Sequence, residues 1–189
     1  MENDPQLVKL ASKGDLRAFK HLVQQHEKLV FHVVRRMVGQ QEDVEDLCQE
    51  VFIKVHKKLP QFKGDSKVST WIASIAFNTT VNYLKKKRIP TTGLSESEFL
   101  ENAELSAEAS MIQQDQQAFI QQQVNRLPAQ YKAILTLYHL EEMSYKEIGV
   151  ITKLPEGTVK NYLFRARKLL KEQLTRHVNR NAKWDEKII

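Results

Sequence analysis

The side chains best suited to chemistry lie on the outer face of a basic helix that is predicted to begin at Glu156. At about 100° per residue, one stripe of this helix must be core: Val159, Leu163, Ala166 and Leu170. Asn and Arg on the opposite side can read base edges, and Lys and Thr can hold phosphates. We therefore predict a surface for duplex DNA, formed by Thr158, Lys160, Asn161, Phe164 and Arg165. Phe164 could cover a thymine methyl or a sugar, or it could instead pack under the C-terminal tail.

Two short helices and a tight turn would position this surface. Ser144 and Glu147 fit a capping box, in which the serine hydroxyl bonds a free amide and the glutamate reaches back. The sequence Leu154-Pro155 then breaks the helix, and a second, basic helix follows. This arrangement is a helix-turn-helix, which places its second helix in the major groove. By itself the motif does not say which class of DNA-binding protein carries it.

A second set of candidate side chains lies between residues 61 and 86. The polar loop 61–67 has a glycine for a tight turn and could pocket an extruded base. The next helix, capped by Ser69 or Thr70, has a core stripe of Ala73, Phe77, Val81 and Leu84. Its other surface combines aromatic, amide and cationic side chains with Ile75. Proteins that bind single-stranded DNA use such a combination, with stacking groups for the bases and cations for the backbone. We expect the strand to contact Lys63, Gly64, Asp65, Ser66, Trp71, Asn78, Asn82 and Lys86, although Trp71 could equally be a core residue.

The preceding helix, residues 43–59, has a solvent face of another kind. Its core stripe is Val44, Cys48, Val51 and Val55, with Leu47 and Leu59 at the edges. Opposite this stripe, one isoleucine is surrounded by acids and an amide. Because an acidic rim repels DNA, the exposed apolar group indicates a protein-binding patch. The patch is Asp46, Gln49, Glu50 and Ile53; an ordinary solvated face with one stray apolar residue is the alternative.

The chain as a whole predicts an all-α fold of two small helical domains joined by a flexible acidic linker. Among 189 residues, six glycines and five prolines are too few for a β-rich protein. We predict helices over residues 6–12, 15–39, 43–59, from 69 or 70 to 88, 112–126, 131–140, 144–152 and 156–176. Residues 1–90 hold 16 Lys/Arg and 10 Asp/Glu, residues 91–126 hold 1 and 6, and residues 127–189 hold 12 and 7. These shifts predict domains at 1–90 and 127–178, a linker at 91–126 and a frayed tail at 179–189.

Several function classes are disfavoured by composition. The single cysteine, Cys48, forms no internal disulfide or cysteine zinc cluster and suits a reducing cytoplasm. No apolar run approaches the length of a membrane span, and no export signal is expected. His21, His26 and His32 are scattered around a helix, and no phosphate loop or nucleophile with its base is evident, which argues against an enzyme. A stand-alone helix-turn-helix regulator with an N-terminal sensing domain remains an alternative function for the chain.

Three blocks of sequence, in order, resemble the extracytoplasmic-function (ECF) sigma factors of the sigma-70 family. Residues 154–167 (LPEGTVKNYLFRAR) resemble the signature of the family's DNA-reading helix. Residues 43–55 (DVEDLCQEVFIKV) resemble its clamp-binding helix. Residues 62–66 (FKGDS), 69–72 (STWI) and 75–78 (IAFN) resemble its promoter-melting segment. With the acidic linker between them, the blocks extend the resemblance over nearly the whole chain.

The resemblance implies a division of function between the two domains. The first would bind the β′ clamp of RNA polymerase core and capture the non-template strand of the −10 element, with Asn78 at a DNA-contacting position. The second would bind the β flap and read the −35 element as duplex, and the linker would thread toward the active-centre channel. An anti-sigma factor would be a further partner, and neither a cofactor nor membrane insertion is implied. Glu156 departs from the family's usual small or apolar residue, so we do not predict that it contacts DNA.

Overall fold

The computed structural model describes residues 5–38, 41–87, 120 and 122–185, and within these ranges it is helical with connecting turns. The all-α class is therefore confirmed. The helices are α1 (Pro5–Ser12), α2 (Leu16–Val38), α3 (Gln41–Lys58), α4 (Val68–Lys87), α5 (Ala129–His139), α6 (Tyr145–Thr152) and α7 (Glu156–Asp185), with a 3₁₀ turn at Leu59–Gln61. Most of the predicted linker lies outside the described residues, as does Gly39, the predicted end of α2. Of the helix predicted at 112–126, the described residues 120 and 122–125 are helical.

The helix ends follow local hydrogen bonding. Asp15 caps α2, since its Oδ1 accepts the N–H groups of Arg17 at 2.8 Å and Ala18 at 3.0 Å. The predicted cap of α4 was wrong. The carbonyl of Lys67 accepts the Trp71 N–H at 3.1 Å, so α4 begins at Val68 and the predicted cap residues lie inside its first turn. Helix α7 extends past the expected end near residue 176 to Asp185, because neither glycine nor proline follows residue 157.

Helices α1 to α4 form the N-terminal module around α2. Helix α2 packs against α1, α3 and α4, and α3 packs against α4. The centre of this module is aliphatic and fully buried: Leu22, Val30, Val33, Val34, Val51, Val55, Leu59 and Ile72. Branched side chains at helical spacing account for this core, since burying each apolar side chain contributes about 1.5–3 kcal/mol.

Helices α5 to α7 form the C-terminal module, the helix-turn-helix. Helix α7 packs against α5 and α6, and their shared core comprises Ile134, Leu137, Ile148, Ile151, Val159 and Leu163. The two modules also touch, because α5 packs against α2 and α6 packs against α4. Buried residues of both modules consequently form one continuous hydrophobic cluster.

Candidate nucleic-acid interface

The capping box at the start of α6 is present with both of its reciprocal bonds. The backbone N–H of Glu147 donates to Ser144 Oγ at 3.3 Å, and the Ser144 N–H donates to Glu147 Oε2 at 2.9 Å. The Ser144 hydroxyl also donates to that carboxylate oxygen at 2.7 Å. Burial would raise the pKa of Glu147, but the bonds from Ser144 and an ion pair with Lys67 hold it at about 2. The carboxylate therefore stays charged and fixes the angle at which α6 begins.

The turn between α6 and α7 depends on Gly149, which was not among the predicted functional or capping residues. A Cβ at Gly149 would lie 2.9 Å from the carbonyl oxygen of Leu154, so a side chain there would collide with the turn. The backbone carbonyl of Gly149 accepts the N–H of Leu154 at 3.1 Å. Lys153, between them, takes the left-handed conformation with φ of 59°. A glycine inside the predicted helix 144–152 was the available signal.

The predicted duplex-reading surface of α7 faces solvent. Val159, Leu163 and Ala166 are buried and Leu170 is packed against the core, as the helical wheel predicts. On the other side, Asn161 and Arg165 are exposed and Thr158 is half-buried. Phe164 is 68% exposed, so the part of the chain that the structure describes leaves it open to solvent. An exposed aromatic ring between an amide and a guanidinium is suited to contacts with base edges and thymine methyls.

Lys160, the remaining member of that set, is held at the flank of α7. Its Nζ lies 3.2 Å from Glu156 Oε1 and 5.3 Å from the centre of the Tyr145 ring. Tyr145 in turn stacks on Tyr138, with ring centres 5.1 Å apart and planes within 5° of parallel. Glu156, which departs from the family pattern, therefore orients a cation rather than leaving an unpaired acid. The tyrosine pair joins α5 to α6 and had no signal in the sequence, because tertiary packing creates it.

The predicted single-strand surface forms one solvent-accessible strip along α4, which we call the open arc: Trp71, Asn78, Asn82 and Lys86. Trp71 and Asn78 are half-buried and Asn82 and Lys86 are exposed. The prediction for Ile75 was wrong, since this side chain is 7% exposed. The prediction assumed that α4 has one buried face and one exposed face. In the structure α4 packs against α2, α3 and α6, so the exposed arc is narrower than predicted and Ile75 lies outside it. Of the predicted core stripe, Ala73 and Phe77 are buried, while Val81 and Leu84, nearer the end of the helix, are partly buried against the core.

The loop before α4 presents polar groups beside an aromatic pair. Gly64 has φ of +79°, a conformation that favours glycine, and Lys63 and Asp65 are exposed on either side of it. The Ser66 side chain is half-buried. The Trp71 ring lies 5.0 Å from the ring of Phe62, with the two planes inclined at 46°, and Trp71 is half-buried against the core. Separately, Asn78 Nδ2 donates to the Ser74 carbonyl at 2.6 Å, which fixes the amide on the arc.

The acidic patch on α3 is exposed as predicted. Ile53 is 54% exposed, and Asp46, Gln49 and Glu50 all face solvent. Glu50 also pairs with Lys54 at 2.6 Å, one turn along the helix. On the inner side, Cys48 is half-buried beside the core, where burial and the charge of Glu45 raise its pKa to about 11. Its thiol is therefore neutral, which agrees with a packing role.

The described residues, 5–38, 41–87, 120 and 122–185, bear on two further kinds of site. There, no three His, Cys, Asp or Glu side chains come together as metal ligands would. In the same ranges, no helix combines the length and apolarity that crossing a bilayer requires.

Family models match both modules. Residues 22–89 match sigma-70 region 2, and residues 120–170 match sigma-70 region 4. These ranges include the acidic patch, the open arc of α4 and the helix-turn-helix.

Curated relatives match along most of the chain. The RNA polymerase sigma-H factor of Pseudomonas aeruginosa is 34% identical over 182 residues, which cover 92% of this chain and 94% of that protein. The ECF RNA polymerase sigma-E factor of Escherichia coli (strain K12) is 35% identical, covering 88% of this chain and 92% of that protein. SigW of Bacillus subtilis, also an ECF RNA polymerase sigma factor, is 31% identical over 88% of this chain and 94% of its own.

Two solved structures share the fold. CnrH, in complex with the cytosolic domain of CnrY, has a TM-score of 0.67 at 20% identity, covering 91% of this chain and 97% of its own. The sigma factor RpoE from Bartonella quintana, in complex with the anti-sigma factor NepR, has a TM-score of 0.64 at 20% identity, covering 85% of this chain and 98% of its own.

Proposed function

The chain belongs to the ECF sigma factors of the sigma-70 family, and from that premise we propose how its surfaces divide the work of starting transcription. As a sigma factor it binds RNA polymerase core and directs promoter recognition, DNA melting and transcription initiation. We assign these steps to three surfaces: the acidic patch of α3, the open arc of α4 with its loop, and the outer face of α7. The domain boundaries at 90, 127 and 178 belong to the same proposal.

The −35 element would be read by α7. The single observation that supports this most strongly is the exposed Phe164 between Asn161 and Arg165, on the side of α7 opposite its buried core stripe. No stability gain in the free chain explains an aromatic side chain in that position, whereas a base-reading surface does. Thr158 and Lys160 would then hold phosphates at the margins, Lys160 from the position that Glu156 and Tyr145 give it.

The −10 element would be held as a single strand by the arc of α4. The Trp71 ring offers a face for stacking, Asn78 and Asn82 offer amides, and Lys86 offers a cation for the backbone. The loop Lys63-Gly64-Asp65-Ser66 would accept a base extruded from the duplex, since Gly64 turns the backbone sharply and leaves polar groups around the turn.

Core polymerase would be bound first through Asp46, Gln49, Glu50 and Ile53. An exposed isoleucine within an acidic rim suits a basic protein surface with an apolar pocket, and the rim disfavours DNA at this position. We assign the partner surface to the β′ clamp, and the C-terminal module to the β flap. This role makes the chain an initiation factor rather than an enzyme, acting where the polymerase is, in the cytoplasm.

An anti-sigma factor is a further proposed partner. One of the solved structures named above, the sigma factor RpoE from Bartonella quintana, is in complex with the anti-sigma factor NepR. We extend that partnership to this chain as a class of interaction.

The test of this division is core-dependent promoter binding. We expect the chain to co-elute with purified core on gel filtration, and the resulting holoenzyme to bind promoter fragments far more tightly than the chain alone. Arg165→Ala should weaken binding to a fragment with the −35 element by about 5- to 150-fold, the range for one lost base contact, and leave co-elution unchanged. Lys171→Ala, which removes an exposed cation from the same helix, is the matched control.

Two outcomes would contradict the proposed function or its division between the modules. Tight, sequence-specific operator binding without core would indicate a stand-alone regulator. Loss of core binding in Arg165→Ala would refute the division between the two modules.

A further inference from the structure

The last turn of α4 carries three consecutive cations, and one of them is held by a side chain of another helix. Lys85, Lys86 and Lys87 end α4. The Nζ of Lys87 lies 2.8 Å from Oδ2 of Asp43, in the first turn of α3, and 5.7 Å from the centre of the Tyr83 ring. None of the three surfaces proposed above includes Asp43, Tyr83 or Lys87.

The carboxylate of Asp43 joins the other two side chains. Hydrogen bonds from Lys87 and from the Tyr83 hydroxyl lower the pKa of Asp43, so it is an anion at neutral pH. Hydrogen bonding to Asp43 raises the pKa of Lys87, which keeps this partner a cation. Tyr83 is partly buried against the core, and burial together with the bond to Asp43 raises its pKa, so its hydroxyl stays a donor. The three side chains form one polar cluster, which we call the α3–α4 tie.

The tie acts on the part of α4 that other forces hold least. The last carbonyls of a helix have no partner within the helix, and helix ends fray. Ala73, Ala76 and Thr80 are fully buried, whereas residues 81–87 are partly buried or exposed. Side-chain packing therefore fixes the middle of α4 more firmly than its end. The α3–α4 tie supplies a fixed point where the core supplies little.

The residues assigned to DNA in this turn are direct neighbours of the tied ones. Asn82 precedes Tyr83 and Lys86 precedes Lys87, so each lies about 100° around the helix axis from its tied neighbour. Both Asn82 and Lys86 are exposed, and they end the open arc that begins at Trp71. A helix end that is fixed on the side of Tyr83 and Lys87 therefore also sets the direction of Asn82 and Lys86.

We propose that Asp43 is a positioning residue for the −10 strand, which holds the last turn of α4 so that Asn82 and Lys86 keep the direction that the strand requires. This inference rests on the function proposed above, in which the open arc binds that strand. Asp43 itself does not contact DNA in this scheme, and as an anion it would repel a phosphate. Its effect on DNA binding passes through the side chains that it positions.

The experiment is a double-mutant cycle between Asp43 and Lys86, because such a cycle detects coupling between two residues. The probe is a fluorescent fork-junction fragment of a promoter that is active in run-off transcription, with its −10 element presented as a non-template single strand. Holoenzyme is assembled from the full chain and core. The affinity is measured over a range of salt concentrations, and the salt slope is the change in log affinity with log salt.

The expected losses follow from one phosphate contact. Lys86→Ala should weaken binding about fivefold at about 0.1 M salt and lower the salt slope by about 0.7, the contribution of one contact to a single strand. Asp43→Asn should cause the same loss, because Lys86 is then present but no longer positioned. The double variant should be no weaker than either single variant, whereas two independent effects would multiply to about 25-fold.

The matched control is Glu45→Gln, which removes an exposed acid from the same helix but from neither the acidic patch nor the tie. Its affinity and salt slope should equal those of the wild type. Asp43→Asn should still co-elute with core, since Asp43 lies outside the acidic patch. A purely structural role of Asp43 would lower the melting temperature and leave the salt slope unchanged, and this result would overturn the proposal.

Three other outcomes would also overturn it. Tighter binding with a steeper salt slope in Asp43→Asn would show that Asp43 only keeps Lys87 away from DNA. Multiplied losses in the double variant would show that Asp43 and Lys86 act separately, and loss of core binding in Asp43→Asn would place Asp43 in the acidic patch. Each of these results leaves the function of the open arc intact. A wild-type salt slope in Lys86→Ala would instead contradict the proposed function of the arc, and the positioning role with it.

Discussion

Replacing Phe164 with alanine should separate DNA reading from folding. An aromatic side chain offers roughly 150–250 Å² of surface, and Phe164 is 68% exposed, which leaves about 130 Å² available. If DNA covers half of that, about 65 Å² at about 25 cal/mol per Å² corresponds to about 1.6 kcal/mol. We therefore expect Phe164→Ala to weaken promoter binding by roughly 15-fold. The free energy of unfolding should change by no more than about 0.5 kcal/mol, because the ring contributes little to the core.

The assay is titration of holoenzyme into a fluorescent promoter fragment, repeated on a fragment with a scrambled −35 element. The loss should be confined to the intact element. The matched control is the preceding residue, Leu163, which is 1% exposed, so Leu163→Ala should destabilise the fold by about 2–5 kcal/mol. Unchanged promoter affinity in Phe164→Ala, or a destabilisation equal to that of Leu163→Ala, would refute the reading of α7.

Three further predictions concern the other surfaces and the capping box. Ile53→Asp should weaken core binding at least about tenfold, measured by competition for core, while thermal unfolding stays unchanged; undiminished affinity would remove the patch assignment. Asn78→Ala should slow open-complex formation, and permanganate reactivity of the −10 thymines equal to wild type would count against it. Ser144→Ala should cost about 1 kcal/mol in urea unfolding at neutral pH. The Ser144 hydroxyl also donates to the Glu147 carboxylate, whose pKa is lowered from 4.5 to about 2, so the part of the cost that comes from this bond should be complete above pH 4.5 and fade as pH falls toward 2; a cost independent of pH would show that the carboxylate is not involved.

Local features of the fold were predictable from the sequence. The capping box at Ser144 and the core stripe that includes Val159 and Leu163 depend on residues within one or two turns of each other, and both were confirmed. The exposure of Ile53 and Phe164 followed from the same helical period. Which side chains contact DNA or core stays a prediction.

Features that depend on distant residues were not predictable. Ile75 was placed on an open surface, but it is buried because α4 has neighbours on three sides, one of them in the other module. The pair of His32 with Glu141 spans 109 positions of the chain, so no local pattern could indicate it. Gly149 had a local signal, but the reason for it, the carbonyl of Leu154 at 2.9 Å from a Cβ, exists only after the turn forms.

Run-off transcription with purified core on genomic fragments tests the central claim most directly. If the chain is an ECF sigma factor, its addition to core should produce discrete transcripts that start at a fixed distance downstream of shared −35 and −10 sequences. Core alone should produce none of them. The account would be contradicted if the chain bound core and DNA but yielded no new transcripts, or if the same transcripts appeared without it.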